Sequence, residues 1–325
     1  MDTQEDGEMQ VIPSAPCRLY AILCVVLLAL GVLADQAGAE QTPTTRTRLI
    51  LLGTAGGPSP KQTRSAPANA VVVNDAVYVV DAGNGVARQL VRARLAPRNL
   101  RAVFITHHHS DHNADYGNLV LLAWTAGLRR PVDTYGPPPL ARMTELFLAL
   151  NAADIELRQE EEGRPVLAGL IRPHEIESDG VIYQDENVKV TAFEVIHLGA
   201  KAYGFRFDTA DRSIVFSGDT SPSENLIKHA RGVDVLVHEV VSVPAADALV
   251  ARVDPGNEAL KRHIIDAHTP LTEVGRIATA AGVKTLVLTH FVPSDDPDDK
   301  AELWREGVGQ QFSGELIIGR DLMEI

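Results

Sequence analysis

The stretch Thr106-His107-His108-His109-Ser110-Asp111-His112 concentrates side chains that can hold a metal. Imidazole and carboxylate are ligand types for zinc and similar divalent ions. The stretch follows the apolar run 102–105, which reads as a strand. A strand ending in a loop lets neighbouring side chains converge on one point. Four donors in the order His-x-His-x-Asp-His exceed what one ion with an open position takes. They fit two adjacent ions that share ligands from elsewhere. Three such ligands end other apolar runs: His197 after 190–196, Asp219 after 213–216, and His290 after 285–289. Alone, each reads as a hydrogen-bonded histidine or a turn. Together with the cluster they predict a metal site.

The elements that must position these residues follow from hydrophobic periodicity. Strand-type runs fall at 48–52, 69–73, 76–80, 101–105, 188–196, 203–208, 213–217, 233–237 and 284–289. Helical patterns fit 84–94, 113–127, 138–150, 223–230, 270–281 and 297–307. Strands come first, then strands alternate with helices, which suggests a layered α/β domain. The glycine-rich 53–58 lacks the Lys-Ser/Thr pair and the helix of a phosphate loop, so it reads as a turn. Residues 159–162 read as a solvated acidic loop.

The net charge of −13 argues against nucleic acid and anionic membranes as partners. Apolar residues make up 45%, which is globular composition. The apolar run 19–34 is shorter than the roughly 20 residues of a membrane span. With Ala37-Gly38-Ala39 behind it, residues 1–39 read as a signal peptide, an uncleaved anchor being the alternative. The acidic residues before Met9 suit such a leader poorly, so Met9 is an alternative start. Residues 40–47 read as a linker and 48–325 as the folded domain. The only cysteines, Cys17 and Cys24, fall in the leader. The remaining chain therefore has no disulfide, thiolate zinc site or cysteine nucleophile, and its expected location is periplasmic or secreted.

With Val79-Val80-Asp81-Ala82-Gly83 added to the histidine cluster, the chain resembles the metallo-β-lactamase superfamily of dinuclear hydrolases over about 48–325. The resemblance implies a four-layer αββα sandwich with the site at one sheet edge. It implies that His107, His109 and His197 bind one metal, that Asp111, His112 and His290 bind the other, and that Asp219 bridges them. Asp81 would support the cluster from behind. Tyr135-Gly136-Pro137-Pro138, Phe216 to Thr220, Leu236 to Glu239 and Ala267 to Pro270 resemble the ribonuclease Z-like branch, most closely its arylsulfatase-type group. Ribonuclease Z inserts a tRNA-gripping arm between its third His motif and its bridging Asp. Here His197 and Asp219 are 22 residues apart, which leaves no room for the arm.

The expected enzyme is thus a secreted hydrolase of small sulfate or phosphate esters, with hydroxide supplied by two divalent ions. Zinc is the expected metal, with manganese or iron as alternatives. His268 is the candidate proton donor. Glu239 is its orienting partner, and Asp111 completes the candidate catalytic set. Lactone or carboxylic ester hydrolysis is one alternative. A ribonuclease Z-like phosphodiesterase of the 3′-tRNA endonuclease type is another. Substrate choice is assigned to loops at 54–68 and 150–180. His108 reads as lying beside the ligands or exposed. His174, His229 and His263 read as surface residues, and Tyr203 and Arg206 as strand core. A homodimer through 113–127 and 138–150 is possible, although an intramolecular layer explains those helices equally well.

Overall fold

Successive strand residues point to opposite faces, so an apolar run with no alternation marks a strand buried on both sides. The run Leu49-Ile50-Leu51-Leu52 shows the consequence. Leu49 and Leu51 join one buried cluster, and Ile50 and Leu52 another. The computed structural model describes residues 46–294 and 301–325. The leader at 1–39 and linker residues 40–45 lie outside the described residues.

One sheet is built from β1 (Arg48–Gly53), β2 (Ala68–Val73), β3 (Ala76–Val80), β4 (Leu100–Phe104), β5 (Val132–Gly136), β6 (Ile171–Glu175) and the short β14 (Met323–Glu324). The other holds β7 (Gly180–Gln184), β8 (Val188–His197), β9 (Ala200–Thr209), β10 (Ser213–Phe216), β11 (Val235–Val241), β12 (Thr285–Val292) and β13 (Glu315–Ile318). The strand orders are β14-β1-β2-β3-β4-β5-β6 and β13-β12-β11-β10-β9-β8-β7. Both sheets mix antiparallel and parallel pairs. Their facing surfaces share Phe104, Phe205, Phe207 and Phe216. Helices Val86–Arg92 and Tyr116–Thr125 cover the first sheet, and Leu271–Ala281 and Ala301–Gly309 the second. This is the expected α/β sandwich of four layers.

Several elements depart from the sequence reading. The pattern at 113–127 divides into Ser110–Asn113 and Tyr116–Thr125. Residues 159–162 are no loop but the end of helix Ala152–Glu162, held partly by Arg158 bonding Asp154 and Glu162 at i±4. Of the pattern at 297–307, residues 297–300 lie outside the described residues, and the helix runs Ala301–Gly309. Helices Val243–Val253 and Glu258–Asp266 occupy a stretch to which the periodicity assigned no element. The edge strand β6 carries Pro173, which weakens its strand signal. Among the described residues, no helix is long and apolar enough to cross a membrane.

Phe104 is fully buried against Tyr135, Phe205 and Phe207, with ring centroids 5.3–5.6 Å away. Phe104→Ala should therefore cost about 3–5 kcal/mol of stability. Denaturant unfolding measures this, and a loss below about 1 kcal/mol would contradict a close-packed intersheet core.

Candidate metal centre

The candidate ligands all leave the ends of strands, from both sheets. His107, His109, Asp111 and His112 follow β4, the last two in helix Ser110–Asn113. His197 ends β8, Asp219 follows β10, and His290 lies in β12. Backbone geometry places three of the candidate residues. Against β11, strand β12 carries one extra residue near Thr289-His290, and His290 has φ 44°. A bulge of this kind turns a side chain out of the regular alternation. Asp81 has φ 62°, a conformation that costs a non-glycine residue of order 1–3 kcal/mol. Gly218, at φ 61°, sits where a Cβ would lie 2.8 Å from the Tyr203 carbonyl. Only glycine lets the chain turn there and bring Asp219 inward.

Fixed hydrogen bonds present the ring nitrogens. His112 Nδ1 lies 2.8 Å from Asp81 Oδ2, and Asp81 also accepts from Thr106 N at 2.8 Å. His197 Nδ1 donates to the Ala267 carbonyl at 2.9 Å. His107 Nδ1 lies 3.0 Å from Thr106 Oγ1. In each case Nε2 is left to face the centre. Such outer contacts fix ring orientation and tautomer in metal sites.

The free donor atoms converge. His112 Nε2 and His290 Nε2 are 3.1 Å apart, and His109 Nδ1 and His197 Nε2 are 3.0 Å apart. Asp219 Oδ2 lies 3.2 Å from His290 Nε2, 3.3 Å from His112 Nε2 and 3.9 Å from His107 Nε2. Two nitrogens about 2.0–2.1 Å from one tetrahedral ion sit roughly 3.3 Å apart, so these spacings suit shared ions. His107 Nε2 and Asp219 Oδ1 are buried without a hydrogen-bond partner. Buried polar atoms are normally satisfied, so both are placed to bind an electrophile such as a metal ion. His107, His109 and His197 form one donor group, and Asp111, His112 and His290 a second. Asp219 groups with His107 and His112, and also with His268 and His290. The residues present fit divalent metal.

Charge divides the site. Burial lowers His107, His109 and His197, the last to about 4, so all three offer lone pairs at neutral pH. Burial acts the same way on His112, but Asp219, Asp81 and Asp111 outweigh it and hold the ring well above its ordinary value. Burial opposes ionisation of Asp111 too, yet His112 and His290 bring it down to about 2. For His268, burial is outweighed by Glu239, which raises the imidazole to about 9. His268 Nδ1 and Glu239 Oε2 are 3.3 Å apart but off the hydrogen-bond line, so the contact is an ion pair. Glu239 Oε1 accepts from Thr269 N at 2.6 Å, which anchors the segment carrying His268.

The expected site residues thus come together, including His268 and Glu239. His108 is half-buried and bonds the Pro137 carbonyl. His174 is exposed beside Asp133, and His229 packs on Phe193. Tyr203 is buried with its hydroxyl on the Ile176 carbonyl, and Arg206 pairs with Asp208. His263 is exposed, as read, and it also lines a cavity of about 500 Å³ that opens onto Asp111, Asp219, His268 and His290. The expected pocket loops are half right. Gly57, Pro58 and Lys61 line that cavity, but the opposite wall comes from helices Val243–Val253 and Glu258–Asp266, not from 150–180. The reading also missed the Ala267 carbonyl, which no side-chain pattern signals.

Two outcomes follow. Asp81→Asn should weaken metal binding by about 10–100-fold while the fold persists. Competition with a chromogenic chelator measures this, and unchanged affinity would remove Asp81 from the support of His112. A proton held on His112 must leave before its Nε2 can ligate. Metal affinity should therefore fall as pH falls from 8 to 6, with protons released on binding. Calorimetry in buffers of differing ionisation enthalpy reads that release, and pH-independent affinity would contradict it.

The family described as "Beta-lactamase superfamily domain" matches residues 77–291. A Ribonuclease Z of Mycobacterium bovis is 31% identical over 281 residues, covering 85% of this chain and 97% of the relative. A Ribonuclease Z of Mycobacterium sp. strain KMS is 31% identical over 280 residues, with 85% and 95% covered. Among solved structures, the short form of human tRNase Z superposes with a TM-score of 0.62 at 21% identity, covering 86% of this chain and 98% of that one. The metallo-β-lactamase fold protein YhfI of Bacillus subtilis gives 0.62 at 23% identity, with the same coverage.

These findings correct three expectations. The arylsulfatase-type reading, and with it the small sulfate ester, gives way to relatives named Ribonuclease Z. The short His197–Asp219 interval does not set the chain apart, because 97% of the M. bovis relative aligns with it. The periplasmic or secreted location is overturned as well: it rested on reading residues 1–39 as a signal peptide, these lie outside the described residues, and relatives named Ribonuclease Z do not support it. The chain belongs to the metallo-β-lactamase superfamily, and it is a metal-dependent hydrolase of ester bonds.

Proposed function

We propose that this chain is a ribonuclease Z-like phosphodiesterase that cleaves RNA at a divalent metal pair. The observation that carries the reading is the Asp219 carboxylate, set between two donor groups at the floor of an open cavity. His107, His109 and His197 would hold one ion, and Asp111, His112 and His290 the other, with Asp219 touching both. The nitrogen and oxygen donors suit zinc, and manganese or iron as alternatives. A bound pair supplies activated water at neutral pH and positive charge for the phosphoryl oxygens. RNA rather than another phosphodiester is supported by the relatives named Ribonuclease Z.

The chain's own residues manage the proton. The acid form of His268 persists at neutral pH because Glu239 stabilises it. Facing the cavity beside Asp219, it can donate to the oxygen that leaves phosphorus. Glu239 acts through His268 and is a positioning residue. Thr269 holds that geometry from both ends, its N–H on Glu239 and its hydroxyl on the Thr220 carbonyl at 2.6 Å.

Metal-loaded protein should cleave a precursor tRNA bearing a 3′ trailer, and Asp219→Ala should abolish cleavage. His268→Ala should lower kcat by about 10²–10⁴-fold with metal content intact. Turnover of a lactone with none of RNA or aryl phosphodiesters would overturn the reading. Glu239→Gln removes the charge that raises His268, so its acid form is lost at lower pH. The alkaline fall of kcat should then begin at lower pH than in the wild type; an unmoved profile would free Glu239 of that role.

A further inference from the structure

Helix Glu258–Asp266 buries none of its residues, although Leu260 and Ile264 fall at i and i+4 on one face. Helix Val243–Val253 precedes it, and its Val253 is 58% exposed. Leu249, Leu260 and Ile264 are only partly buried, Ile264 against Val241, Ala246 and Val292. Here they are gathered: Leu249, Val253, Leu260 and Ile264 line the same cavity as Asp219, His268 and His290. Resting on the phosphodiesterase reading, we propose that this wall is a nucleobase subsite for the nucleotide next to the scissile phosphate.

Three observations on the page favour that occupant. The cavity, about 500 Å³, lies within the range of ligand pockets and accommodates a nucleotide. Its floor is the polar metal centre and one wall is apolar, which matches a phosphate joined to a flat heterocycle. The wall is also coupled to the chemistry. Helix Glu258–Asp266 runs directly into Ala267, whose carbonyl orients His197, and into His268. A base seated on Leu260 and Ile264 would therefore fix the phosphate relative to the proton donor.

Calorimetry on the full manganese-loaded chain, titrated with adenosine 5′-monophosphate and separately with inorganic phosphate, tests the subsite. The nucleotide should bind about tenfold tighter or better. Leu260→Ser/Ile264→Ser should erase that preference while phosphate affinity stays unchanged, which also shows that the centre is intact. Val253→Ser, at an exposed position, should weaken the preference in a protein whose folding is not in question. Equal affinity for the two probes, or an unaltered preference in both variants, would overturn the subsite. Cleavage of RNA without nucleotide preference would overturn the subsite and leave the phosphodiesterase reading standing. Nucleotide preference without RNA cleavage would do the reverse.

Discussion

A single carboxylate organises this molecule. Asp219 is 2% exposed, and its Oδ2 lies within 3.9 Å of nitrogens from His107, His112, His268 and His290. Burying such a charge is costly unless it is paired. The surrounding imidazoles pair it, and they come from three separate segments: the stretch after β4, the start of the segment at His268, and β12. Both sheets must be assembled before that pairing exists. The carboxylate also polarises the neighbours it touches, holding His112 high and lying beside His268.

The fold meets this demand with rigid backbone and a second layer of hydrogen bonds. Asp81 accepts from Thr106 and contacts His112, so the end of β3 steadies the loop that leaves β4. The extra residue in β12 turns His290 inward. Gly218 permits the turn before Asp219. The strained φ values fall on His290, which faces the centre, and on Asp81, which backs His112, where the surrounding packing over-determines them. On the opposite side, Thr269, Glu239 and Ala267 tie His268 and His197 to one segment.

Much of the centre was legible because metal ligands are rare residue types placed where strands end. His197, Asp219 and His290 each stand behind an apolar run, and the cluster from His107 to His112 is dense enough to exceed one ion. Glu239 and His268 were paired from their motifs, and the structure brings them to 3.3 Å. Less was legible where backbone or half-buried surface does the work. The Ala267 carbonyl has no side-chain signature. Helix Glu258–Asp266 has no fully buried residue, so its apolar face is a weak signal in the sequence. The substrate reading erred because global charge and one short interval were given weight that only local geometry and relatives could carry.

The most direct measurement is the metal content of the purified chain together with anomalous diffraction at the bound metal's absorption edge. The account requires two ions per chain. One should lie among His107, His109 and His197, the other among Asp111, His112 and His290, with Asp219 in contact with both. A single ion in a chain that cleaves RNA at full rate, or two ions that leave Asp219 uncoordinated, would contradict it.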